Sequence, residues 1–316
     1  MSGIVNLPRT QRGVALIIAL LVVALATVLI AGLLDRGELN AARVRNQLRE
    51  AQAQAYAQGL EAYAARVLVQ AQASDPGYDA NTSPWAVPLP PTPVAGGGIA
   101  ATMHDRNGCF NLNNLLDDSN QVSIVWQQKF VRLLQVLKLD EGLADAVIHW
   151  MRSAPMPDDG FYLQQDVPYR AAKQGLVHVS ELRLIKGVSA EVYARLVPEV
   201  CALPRGSAIN VNTASVAVLM TLSDTLSEQA AKAIWQDGHA NYTSLDAIKT
   251  LLRGGAIDCA NAATNPCYDV HSRYFLARGE ITLDSLPFTF FSLIERTQGG
   301  PNGGIRVIER SRGSDL

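Results

Sequence analysis

The chain is short of charge, of aromatic rings and of cysteine. Asp, Glu, Lys and Arg make up 18% of its 316 residues, a low share for a chain that meets water on all sides. Aromatics are 6% and cysteines number four. Neither sign of charge is in excess, since 27 Lys and Arg stand against 29 Asp and Glu, a net charge of −2. That balance excludes a generally basic nucleic-acid binder and a chain kept unfolded by its own charge. Signatures of catalysis are missing too. His104, His149, His178, His239 and His271 form no His-Glu-x-x-His pattern, and no Gly-x-Ser-x-Gly elbow occurs. Gly96-Gly97-Gly98 lacks the Gly-Lys pair of a phosphate loop. Asp117-Asp118 and Asp158-Asp159 lie in loop-like sequence, where solvation explains them. An enzyme is not expected. At roughly 150 residues per domain, the length suggests about two domains.

One feature is abundant at the N-terminus. Met1 to Gly13 carries Arg9 and Arg12 and no acid, and Val14 to Leu34 then runs 21 residues without a charge. About 20 apolar residues cross a bilayer core of roughly 30 Å. The basic flank predicts a cytoplasmic N-terminus, with everything after Leu34 on the far side. The run is long for a secretory signal peptide, whose apolar core is about 7–15 residues; a plain uncleaved anchor is the simpler alternative. The helical pattern continues, because Asp35 to Ala73 contains no Pro and is rich in helix formers. Leu48, Ala51, Ala55, Leu60, Ala64, Val67 and Leu68 suggest an apolar stripe. Unbroken, Val14 to Ala73 would extend about 90 Å.

Pro76, Pro84, Pro88, Pro90, Pro91 and Pro93 mark Ser74 to Gly98 as loop, followed by a strand over Ile99–Phe110. Asn114 to about Ala262 reads as mostly helical. The expected helices are Val122–Lys138, Glu141–Met151, Val179–Ile185, Ala190–Val200, Ala214–Leu222, Ser227–Asp237 and Ser244–Arg253. Two strings within this region resemble each other, Phe110-Asn111-Leu112-Asn113-Asn114-Leu115 and Ile209-Asn210-Val211-Asn212-Thr213-Ala214, and suggest a repeat of small helical units. Strands are expected again over Tyr274–Leu283, Leu286–Arg296 and Ile305–Arg310. Strands before and after a helical block imply a small sheet with a helical domain inserted into it.

The string Gln11-Arg12-Gly13-Val14-Ala15-Leu16-Ile17-Ile18 resembles the leader of type IV pilins and type II secretion pseudopilins. That resemblance implies cleavage between Gly13 and Val14 by a prepilin peptidase, with N-methylation of Val14, and leaves the apolar helix attached. The fifth mature residue is Ile18, where most such proteins have Glu. A carboxylate in a membrane helix is costly and usually functional, so its absence marks a special member.

Further strings are Asn107-Gly108-Cys109-Phe110-Asn111-Leu112-Asn113, Pro168-Tyr169-Arg170-Ala171-Ala172, Val179-Ser180-Glu181-Leu182-Arg183, Asn210-Val211-Asn212-Thr213-Ala214-Ser215 and Arg273-Tyr274-Phe275. With the leader, they resemble the K-type minor pseudopilins of the type II secretion system (general secretion pathway protein K family) over nearly the whole chain. The resemblance implies an α+β pilin-like fold, with a long N-terminal transmembrane and stem helix on a small antiparallel sheet. An all-α domain of SAM-like and helix-hairpin-helix-like units is inserted into it. The implied organisation is leader 1–13, transmembrane segment 14–34, periplasmic stem 35–74, loop and first strand 75–113, helical insertion 114–262 and final strands 263–316. The implied role is structural, at the tip of a periplasmic pseudopilus, with a single-pass anchor in the bacterial inner membrane. The implied partners are the I-type and J-type minor pseudopilins, with the H-type minor and G-type major pseudopilins and the prepilin peptidase. That family admits calcium. Here the acidic run after Trp150 is short, Asp158, Asp159 and Asp166 are the candidate ligands, and the default is no metal.

The four cysteines would lie in an oxidising compartment, where pairing is expected. Cys259 and Cys267 are neighbours in sequence, and Cys109 and Cys201 flank the Asn-rich strings, so these are the two expected disulfides. Zinc is the rival, but no Cys-x-x-Cys exists. A rival function is a membrane-anchored helix-hairpin-helix nucleic-acid binder, suggested by Asn210–Ala214 and Leu184-Ile185-Lys186-Gly187-Val188. Ser223-Asp224-Thr225 stands where such a module needs glycine for its phosphate cradle.

Overall fold

The computed structural model describes residues 11–74, 77–251, 267–297 and 304–314. The first element, α1, is a helix of 64 residues, Gln11–Ser74. The chain divides into two compact units between Ala55 and Tyr56, so α1 contributes to both. In the first unit the run from Val14 to Leu34 is exposed, with Leu16 63% and Leu33 68% accessible. A helix apolar on every side satisfies its own backbone polar groups and suits a bilayer. It is the one element long and apolar enough to cross a membrane among the described residues.

The second unit starts with the last turns of α1. Ala57, Leu60, Ala64, Leu68 and Ala71 are buried, at spacings of three and four that put them on one face. This face packs on Trp85, Met103, Phe275, Ile294 and Ile305. Burying each large apolar side chain there contributes about 1.5–3 kcal/mol. The sheet comprises β1 (Leu89–Val94), β2 (Gly97–Asp105) and, after a long excursion, β7 (Tyr274–Leu283), β8 (Leu286–Arg296) and β9 (Ile305–Arg312). Their order is β1-β2-β7-β8-β9 and every pairing is antiparallel. Gly279 lets the helix approach, because a Cβ there would lie 2.9 Å from Leu60 Cδ1. Glu61 then fastens α1 to β9 through a bidentate pair with Arg310 at 2.8 and 2.9 Å, and accepts from Ser292 Oγ of β8 at 2.6 Å.

The excursion leaves and returns at one place, since Asp105 at the end of β2 is in register with Phe275 of β7. It holds β3 (Phe110–Asn111), α2 (Ile124–Val136), α3 (Leu143–Met151), α4 (Asp159–Leu163), α5 (Ala190–Leu196), β4 (Val200–Cys201), β5 (Ile209–Asn210), α6 (Val216–Leu219), α7 (Glu228–Trp235), α8 (Leu245–Leu251) and β6 (Tyr268–Asp269). Ser189, Ser215 and Ser227 cap α5, α6 and α7, each hydroxyl accepting from a backbone N–H in the first turn. One continuous core joins Phe110, Phe130, Trp150, Leu182, Val211, Leu219, Ile234 and Tyr268. Phe110 stacks on Phe130 at 5.3 Å and meets the edge of Trp126 at 5.5 Å.

The expected helices all occur, several of them shorter, and Val179–Leu184 is a 3₁₀ helix. Three readings are corrected. Ser74–Gly98 is not all loop, because Leu89–Val94 pairs as β1; a strand with Pro90, Pro91 and Pro93 survives at a sheet edge, with a register shift between Leu89 and Thr92. Ile99–Phe110 is two strands, β2 and β3, broken by a turn at Asn107 and Gly108. The block is not purely helical, since β3 pairs with β4 and β5 with β6, both parallel.

Candidate functional site

The chemistry-bearing part of the head is the neck where the helical block joins the sheet, and its working groups are buried asparagines. Asn107 is 3% exposed; its Oδ1 accepts from the N–H groups of Arg273 and Tyr274 at 2.9 and 2.8 Å, and its Nδ2 donates to Ala208 O at 2.7 Å. One side chain thus ties the outgoing strand to the returning one. At the adjoining Gly108, an added Cβ would lie 2.7 Å from the Thr213 carbonyl oxygen, so only glycine fits between the two Asn-rich strings.

The two strings behave alike. Asn111 Oδ1 accepts from Asn113 N at 3.1 Å, and Asn210 Oδ1 accepts from Asn212 N at 2.9 Å. Asn113 then clamps Leu176 by both backbone groups, at 2.7 Å from its N–H and 2.9 Å to its C=O. Asn212 clamps Tyr242 in the same way, at 2.8 and 3.0 Å. Asn111 also accepts from Leu203 N and donates to Leu203 and Pro204 carbonyls. The amides replace sheet pairing, which explains why buried polar side chains are tolerated. The sequence repeat is therefore a structural one.

The Cys109–Cys201 disulfide is present, with Cα atoms 5.8 Å apart. The parallel pairing of Phe110 and Asn111 with Val200 and Cys201 brings the two segments side by side. Cys259 lies outside the described residues, and with it the expected pairing to Cys267.

Buried charge completes the neck. Asp79, 2% exposed, accepts from Trp85 Nε1 at 3.1 Å, from Ser272 N at 2.8 Å and from Arg296. Glu295 of β8, also 2% exposed, is held by Arg306 and by Arg273 at 2.6 Å. Burial pushes its carboxyl up, but the two guanidinium groups hold it below the usual range. Asp105 accepts from Thr213 Oγ1 and from Asn107 N at 2.8 Å. Burial outweighs those bonds and raises Asp105 to about 6.

Asp158 and Asp159 come together at the start of α4, and both are occupied. Asp158 is bound by Lys186 Nζ and His149 Nδ1, both at 2.7 Å. Asp159 is bound by Lys173 Nζ at 2.6 Å and by Met156 N at 3.0 Å. Lys186 foremost lowers the Asp158 carboxyl and Lys173 foremost lowers that of Asp159. Asp166 is exposed. Calcium takes six to eight oxygens, and no group of three His, Cys, Asp or Glu suited to a metal occurs among the described residues. All four oxygens of the adjacent pair already face N–H donors, so these residues do not fit calcium. His149, His178 and His271 each serve local structure, pairing with Asp158, capping the Val179–Leu184 turn and pairing with Asp269.

The residues expected to be processed, Gly13 and Val14, lie on α1 with Ile18. A Cβ on Gly13 would meet nothing within 4 Å. Val14 and Ile18 are exposed, at 58% and 56%. The neck residues Asp79, Arg296 and Glu295 gave no sequence signal; the alternating Asn-x-Asn in apolar strings was the available sign of the clamps.

A sequence profile described as "Type II secretion system (T2SS), protein K" matches residues 108–205, which is the first Asn-led unit from Gly108 to just past β4. A Type II secretion system protein K of Pseudomonas aeruginosa is 35% identical, covering 96% of this chain and 94% of that one. A Type II secretion system protein K of Klebsiella pneumoniae is 32% identical, covering 96% and 97%. Among solved structures, one chain of the GspK–GspI–GspJ complex from the enterotoxigenic Escherichia coli type 2 secretion system matches with a TM-score of 0.73. It is 27% identical, and the match covers 86% of this chain and 100% of that one. The nucleic-acid alternative gains no support from these matches. With identities of 35% and 32% to two such proteins along almost the full length, the chain belongs to the type II secretion system protein K family and is a minor pseudopilin of that system.

Proposed function

We propose that the protein is the tip subunit of the type II secretion pseudopilus, where it initiates and caps assembly for export of folded proteins across the outer membrane. I-type and J-type minor pseudopilins sit beside it, with H-type minor and G-type major pseudopilins below. The observation that carries this reading is the match to a whole chain of a GspK–GspI–GspJ complex. The cofactor-free structural role agrees with a neck whose buried polar groups bond to one another and to backbone.

In this reading the leader, residues 1–13, is removed by prepilin peptidase, and residues 14–34 anchor the subunit in the inner membrane. The stem 35–74 continues beyond the membrane. Segments 75–113 and 263–316 form the pilin sheet and 114–262 the helical insertion of SAM-like and helix-hairpin-helix-like units. The N-terminus starts in the cytoplasm and the head in the periplasm, as the basic flank at Arg9 and Arg12 favours. Ile18 removes the carboxylate with which an ordinary subunit would offset the buried amino terminus of the subunit above it. Desolvating such an ion unpaired costs several kcal/mol, so Ile18 suits a subunit with nothing above it.

Intact-mass measurement tests the processing. The mature chain should begin at Val14, and Gly13→Leu should retain the leader. No atom lies within 4 Å of the added Cβ, so this variant should keep its fold and report on the peptidase alone. A mature start near Gly32, or unchanged processing in Gly13→Leu, contradicts the reading.

A further inference from the structure

We propose that Lys173 is a built-in ammonium substitute for a divalent cation, so that the head holds its Met151–Lys173 loop without calcium. The chain leaves α3 at Met151 and returns at Lys173, whose N–H donates to Trp150 O at 2.9 Å. Lys173 does this with φ at +56°, a strained conformation for a non-glycine residue. The return is worth that strain because of where it sends the side chain. Nζ donates to the Ala154 carbonyl at 3.1 Å and to Asp159 Oδ1 at 2.6 Å. A backbone carbonyl and a carboxylate are the ligand types a hard divalent cation takes. Here a tethered ammonium gathers them from two points of the loop.

A second ammonium closes the other side. Lys186 Nζ binds Asp158 Oδ1 at 2.7 Å, and His149 Nδ1 takes the other oxygen. Adjacent carboxylates that would repel each other are thus neutralised by groups of the chain itself. A divalent ion entering between them would be repelled by two ammonium groups already seated on the carboxylates. The floor below is fixed independently, since Trp150 and Tyr162 are buried and pack edge to face at 5.2 Å. The ammonium groups therefore order the rim of the loop, above an apolar base.

The test is a melting curve of the full chain in detergent, with EDTA or with about 5 mM calcium chloride. A site with a dissociation constant near 50 μM, filled at that concentration, would raise the melting temperature by several degrees. The wild type should shift by less than about 1 °C, as an unliganded protein does. Lys173→Met should melt several degrees lower in EDTA, and calcium should not restore the loss, because one freed carbonyl and one carboxylate fall short of the six to eight oxygens it takes. Lys173→Arg, which keeps the charge, should stay close to wild type and covers the case in which the Met variant does not fold. A wild type stabilised by calcium overturns the proposal. So does a Lys173→Met that melts like wild type in EDTA.

Discussion

Asn113 and Asn212 make the same pair of bonds in two successive units. Each carboxamide accepts the N–H and donates to the C=O of a single residue, Leu176 for one and Tyr242 for the other. A side-chain amide has the donor and acceptor of a peptide group, so each Asn acts as a short strand of its own. This duplication lets one core run through both units and gives the head a fixed shape without extended sheet.

Replacing either clamp leaves a buried N–H and C=O without a partner, at about 1–3 kcal/mol for each group. Asn113→Ala and Asn212→Ala should each lower the stability of the full chain by roughly 2–4 kcal/mol in denaturant unfolding. Asn120→Gly is the control, since Asn120 bonds Ser153 at an exposed site and glycine tolerates its φ of +60°; it should change little. Equal effects at Asn120 and Asn113 would contradict the clamp.

The disulfide between Cys109 and Cys201 closes a loop of 92 residues across the first unit. Chain-entropy reasoning puts its contribution at roughly 4–5 kcal/mol. The double change Cys109→Ala and Cys201→Ala should lower the unfolding midpoint by a matching amount, and reductant should then add less than it does to wild type. A double variant as stable as wild type would show that the bridge constrains nothing.

Asp105 gives the neck a pH dependence of defined sign. Its carboxyl is raised to about 6, so the folded chain binds this proton more tightly than the unfolded chain. The ionised group therefore costs stability above that value, and the cost disappears as pH falls from about 6 towards 4. Asp79, Ser272, Asn107 and Thr213 surround it, and Arg296 neutralises Asp79. Asp105→Asn mimics the protonated form. It should be more stable than wild type at pH 7, with the difference vanishing near pH 4, as thermal unfolding across that range would show. A difference that does not change with pH contradicts the assignment.

Much of the architecture was legible in the chain itself. The absence of Pro from Asp35 to Ala73, with the uncharged run before it, forces one long helix, and α1 is that helix. Strands β7 and β8 fell where alternation put them. The two-residue strands β3 to β6 were hidden, because they are too short for a period and are held by Asn side chains rather than by a ladder. Strand β1 was hidden by its prolines. Asp79 and Arg296 meet across 217 positions, and no local pattern encodes such a pair. The expected leader rests instead on a local signal, Gly13 between a basic flank and an apolar run.

The tip position is the central claim, and copy number along the fibre tests it most directly. Pseudopili assembled with a labelled form of this protein should carry one label each, at one end, when counted by electron microscopy. Labels distributed along the shaft would contradict it, because a subunit with Ile18 could then be followed by another.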